Sequence, residues 1–112
     1  KSLIVKEGSM PGEVYLIKSG KVKISQLNED GSIQILFIYT EGEIFGFRPM
    51  LSNVLHPVTA TAIEDCNIYV LPKDNFLALI NSSHEFCKEM LYSLSYEYTV
   101  FVNRLNFFTQ RE

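Results

Sequence analysis

The chain has 112 residues, 46% of them hydrophobic, with six glycines, four prolines and a net charge of −3. These values place it among ordinary soluble globular domains with apolar material for one core. The basic residues are scattered, which excludes a face that neutralises a phosphate backbone, so any nucleic-acid contact is expected outside this segment. No apolar run approaches the roughly 18 residues that span a bilayer and no charged-then-apolar leader is present, so a cytoplasmic protein without a membrane partner is expected. Cys66 and Cys87 are too few for a disulfide scaffold and lack metal spacing. They read as reduced core thiols. The chain starts at Lys1 with strand-like sequence and runs out of a helical pattern without a stop signal, as a piece of a longer protein would.

In chain order, short apolar segments bounded by turn residues recur: SLIV from Ser2, EVYLI from Glu13, KVKIS from Lys21, IQILFIY from Ile33, GEIF from Gly42, VTATAI from Val58 and CNIYVL from Cys66. Seven such segments at this spacing predict a mainly β domain, a sandwich or barrel. KSGK around Gly20 and NEDGS around Gly31 have the composition of hairpin turns. KVKIS alternates, which points Val22 and Ile24 inward and Lys21, Lys23 and Ser25 outward. IQILFIY is apolar on both faces and is expected to lie deeper.

The period then changes. Pro72 followed by Lys-Asp-Asn-Phe opens a short helix over 73–80, and Ser82-Ser-His-Glu85 has the spacing of a capping box before a long helix over 82–112. Within that helix Cys87, Leu91, Leu94, Tyr98, Phe101, Leu105 and Phe108 recur at intervals of four and three, the seam spacing of a coiled coil. Phe86, Met90, Tyr92, Tyr96, Val100, Val102 and Phe107 lie off the seam, so the helix is apolar on two sides. One side suits its own β-domain and the other a second copy, which predicts a parallel homodimer.

The order of these parts resembles the cyclic nucleotide-binding domain of the Crp/Fnr superfamily of transcription regulators. The carriers are VKEGSMPGEVYLIKSGKVKIS with Gly8 and Gly20, EDGSIQILFIYTEGEIFG, and ATAIEDCNIYVLPKDNFLALI before the long helix. The resemblance implies a double-stranded β-helix, a jelly-roll-like β-roll over 1–80, followed by the dimerisation helix. It also implies a DNA-binding helix-turn-helix beyond this chain.

On the same resemblance, EIFGFRPMLSNVLHPVTATA from Glu43 is the phosphate-binding cassette, whose usual form reads Phe-Gly-Glu and later Pro-Arg-Ser/Thr-Ala. There the glutamate accepts from the ribose hydroxyl and the arginine pairs with the cyclic phosphate. Phe45 and Gly46 match. Phe47 stands in place of the glutamate, and His56 and Pro57 stand at the arginine and serine/threonine positions. The candidate ligand-binding set is therefore Phe45, Gly46, Phe47, Arg48, His56, Pro57, Val58 and Thr59, in a degenerate cassette expected to bind cyclic AMP poorly or not at all. Arg48, or a protonated His56, would be the substitute anchors for an anion. Phe45, Phe47, Met50, Leu51 and Leu55 make the region apolar, which fits either a filled pocket or a less polar effector.

Catalysis is not expected. His56 and His84 are the only histidines and show no metal spacing, no nucleophile sits beside a base, and two separated cysteines do not hold an iron–sulfur cluster. No cofactor is required, with a cyclic nucleotide or another small-molecule effector left open. The reading is the effector-sensing and dimerisation domain of a regulator that contacts DNA only through a domain outside this chain. Its alternative is a nucleotide-binding regulatory domain of a non-transcriptional protein.

Overall fold

The structure, a computed structural model, describes residues 2–111, with side chains described through residue 106. Seven strands and three helices follow one another: β1 Ser2–Val5, β2 Glu13–Ser19, β3 Val22–Leu27, β4 Ile33–Tyr39, β5 Ile44–Phe45, α1 Phe47–Ser52, β6 Thr59–Ala62, β7 Asn67–Pro72, α2 Lys73–Ser82 and α3 His84–Arg111. The strands form two antiparallel sheets, ordered β1-β6-β3-β4 and β5-β2-β7. This is the jelly-roll-like β-roll that the family resemblance implies, with the long helix after it.

The core between the sheets is built from Val5, Ile17, Val22, Ile24, Phe45 and Ala60, with Tyr15, Tyr39 and Ile68 packed against them. On β3 the two-residue period turns Val22 and Ile24 into this core, whereas β2 encloses both Val14 and Ile17, three residues apart. Four local expectations need correction. KSGK is not a hairpin turn: β2 pairs with β5 and β7 while β3 pairs with β4 and β6, so Gly20 carries the chain from one sheet to the other. NEDGS does close the β3–β4 hairpin, where the Asn28 amide donates to the Ser32 carbonyl at 2.8 Å.

Ser25 is buried, not outward. Ile24 and Ser25 are consecutive and both enclosed, so alternation does not decide burial here; beside them the register between β3 and β4 slips, and Leu36 of β4 is left without a partner in β3. IQILFIY does not lie deep either. As β4 it is the edge strand of its sheet, and most of its apolar side chains are exposed. Lastly, Ser83 caps the long helix in place of Ser82: the Phe86 amide donates to the Ser83 hydroxyl at 3.1 Å, while Ser82 is the last residue of α2.

The chain divides into two compact units, Lys1–Phe76 and Leu77–Glu112, and the division falls inside α2. In the second unit Met90 is buried and Phe86, Cys87, Leu94 and Val100 are half-buried, whereas Leu91, Tyr92, Tyr96, Tyr98, Phe101, Val102 and Leu105 are exposed. Of the expected seam, Leu91, Tyr98, Phe101 and Leu105 thus lie open and Cys87 and Leu94 only partly so. The Phe108 side chain lies outside the described residues. No helix among the described residues is long and apolar enough to cross a membrane.

Candidate functional site

The cassette stretch forms a strand end, one short helix and an irregular return. Gly46 caps α1 in the left-handed region at φ 93°, and a β-carbon there would sit 3.1 Å from both the Glu13 carbonyl oxygen and the Tyr15 ring. Only glycine meets both demands. Pro49 falls in the first turn, where no intrahelical amide bond is lost. At the other end Asn53 is left-handed at φ 62°, and the Val54 amide donates to the Pro49 carbonyl at 2.9 Å. Asparagine tolerates that conformation better than other residues with a side chain, so the helix stops after six residues.

Phe45 points into the core, where its ring stacks on Tyr15 at 5.1 Å and meets Tyr39 at 6.0 Å. Burial above all, then the hydrogen bond to Glu13 and its charge, push the Tyr15 phenol up to about 12, so its hydroxyl stays protonated and donates to Glu13 Oε1. Phe47 is fully buried and packs against Phe76 of α2, with ring centroids 6.1 Å apart. The Arg48 guanidinium lies over the Phe47 ring at 4.5 Å. Phe47 is therefore a core residue that ties the cassette helix to α2. Met50 is buried too, whereas Leu51 and Leu55 are exposed.

The return segment is pinned by its backbone. The Gly8 amide donates to the His56 carbonyl at 2.8 Å and the His56 amide donates to the Ser9 carbonyl at 2.9 Å. The Thr59 hydroxyl accepts from the Glu7 amide at 3.1 Å, and Gln26 Nε2 donates to the Pro57 carbonyl at 2.9 Å. Val58 packs against the core and Pro57 is exposed. Sequence reasoning missed this clamp by Glu7, Gly8, Ser9 and Gln26. Each of its bonds has a backbone group on at least one side and joins segments 31 to 52 residues apart, which leaves no local pattern in the sequence.

The His56 side chain is 6% exposed, and burial lowers its pKa below the ordinary histidine value. The imidazole is neutral at pH 7, which removes a standing cationic anchor at this position. Because the folded form disfavours protonation, the stability this group contributes is fully present above the unfolded pKa of about 6.5. It is lost as pH falls from there through the depressed folded value. Thermal melts should therefore drop more steeply below pH 6.5 for the wild type than for His56→Gln, and parallel curves for the two would refute this.

Cys66 and Cys87 are both half-buried, and Cys66 packs against the edge of the core. Cys66 donates through Sγ to the Lys21 and Glu64 carbonyls at 3.2 and 3.3 Å. Among the described residues no three histidine, cysteine or acidic side chains cluster as a metal site.

The chain belongs to the cyclic nucleotide-binding domain family, whose model matches residues 1–83. It is 31% identical over 74 residues to the cyclic AMP receptor protein of Thermus thermophilus, covering 66% of this chain and 34% of that protein. It is 32% identical over 71 residues to the fumarate and nitrate reduction regulatory protein of Yersinia pestis, covering 63% and 28%. The crystal structure of the Thermus thermophilus catabolite activator protein superposes with a TM-score of 0.74 at 26% identity, over 95% of this chain and 51% of that one. Further relatives are a cyclic GMP-dependent kinase and a potassium channel, in which the match covers 7% and 9% of the length. The chain thus spans about a third of the regulators it matches and far less of the kinase and the channel.

Proposed function

We propose that this chain is the effector-sensing and dimerisation part of a Crp/Fnr-type transcription regulator, with a cassette that does not hold cyclic AMP in the usual way. The observation that carries the second half is the burial of Phe47 against Phe76. Phe47 occupies the place that the family resemblance gives to the ribose-binding glutamate, and no ribose acceptor is left there. The buried, neutral His56 at the arginine place supports the same reading. Loss of the partner of a buried charge costs about 2–5 kcal/mol, and each 1.4 kcal/mol is about tenfold in affinity, so binding falls by about a thousandfold.

The exposed apolar residues Leu91, Tyr98, Phe101 and Leu105, seven and three or four apart on α3, support dimerisation through the long helix. In such a dimer an effector acts by moving the paired helices and whatever domains follow them. The kinase and channel relatives favour a second reading, a nucleotide-responsive regulatory domain of a protein that does not bind DNA.

Calorimetric titration with cyclic AMP and cyclic GMP, together with thermal melts, tests the cassette. No saturable heat and no shift in melting up to millimolar nucleotide is the expected result. Saturable binding below about 10 μM, with a melting rise that scales with ligand, would overturn it and favour the second reading.

A further inference from the structure

We draw no further inference here: the strongest candidate, the exposed apolar patch on edge strand β4 where the Phe37 ring stacks on Tyr39, carries nothing because nothing in the structure shows what covers it.

Discussion

Replacing Phe47 by glutamate, which writes the family's carboxylate back into the cassette, is expected to destabilise the domain severely and to create no nucleotide site. The side chain at position 47 is fully enclosed and in ring contact with Phe76, so a carboxylate there enters the core. Truncating a buried phenylalanine costs about 3–5 kcal/mol, and an unpaired buried carboxyl adds to that. A small domain is stable by only about 5–15 kcal/mol, so the variant loses much of its folding free energy. Phe47→Leu keeps the site apolar and should cost about 1.5 kcal/mol or less. Denaturant midpoints for the two variants check this. A Phe47→Glu protein that unfolds with the wild type and gains cyclic AMP binding would show that position 47 can turn toward a ligand.

The second large effect is expected at Gly20, the crossover between the sheets. Its φ is +101°, and a β-carbon would lie 2.6 Å from the Asp65 carbonyl oxygen and 2.8 Å from the Cys66 α-carbon. The conformation alone costs a side chain about 1–2 kcal/mol. The clash adds more, because backbone atoms of the β6–β7 connection have to move, and with them the Cys66 thiol held by the Lys21 carbonyl. Gly20→Ala should therefore cost at least about 3 kcal/mol, a fall in melting temperature of about 12–24 °C for a domain of this size. Gly31→Ala is the control. It shares the positive φ but has nothing within 4 Å of the added carbon, so about 1–2 kcal/mol is expected. Equal melts for the two alanine variants would refute the role of close approach at Gly20.

These two positions mark the limit of what sequence patterning could convey. Phe47 was legible as a departure from the cassette, and its apolar character was plain. That it faces α2 rather than a ligand depends on Phe76, which lies 29 residues further on and carries no sign of the pairing. Gly20 looked like half of a hairpin turn because glycine with lysine and serine serves hairpins and sheet crossovers alike. The difference lies in which strands pair afterwards.

What the amino-acid order determined by itself is the set of elements. The seven strands and the two helices after Pro72 fall close to where alternation, turn residues and the four-and-three spacing put them, because those signals act over a few residues, whereas those signals did not place α1. The family was legible as a resemblance in the order of short motifs, and the family model over residues 1–83 bears it out. Tertiary structure alone decided the partners: that Gly20 crosses between sheets, that apolar IQILFIY is an edge, that Ser25 is buried, and that Gly8 and Ser9 clamp His56. Each of these depends on hydrogen bonds or packing between residues far apart in the chain. Backbone groups are the same at every position, so pairing of that kind leaves no local mark in the side chains.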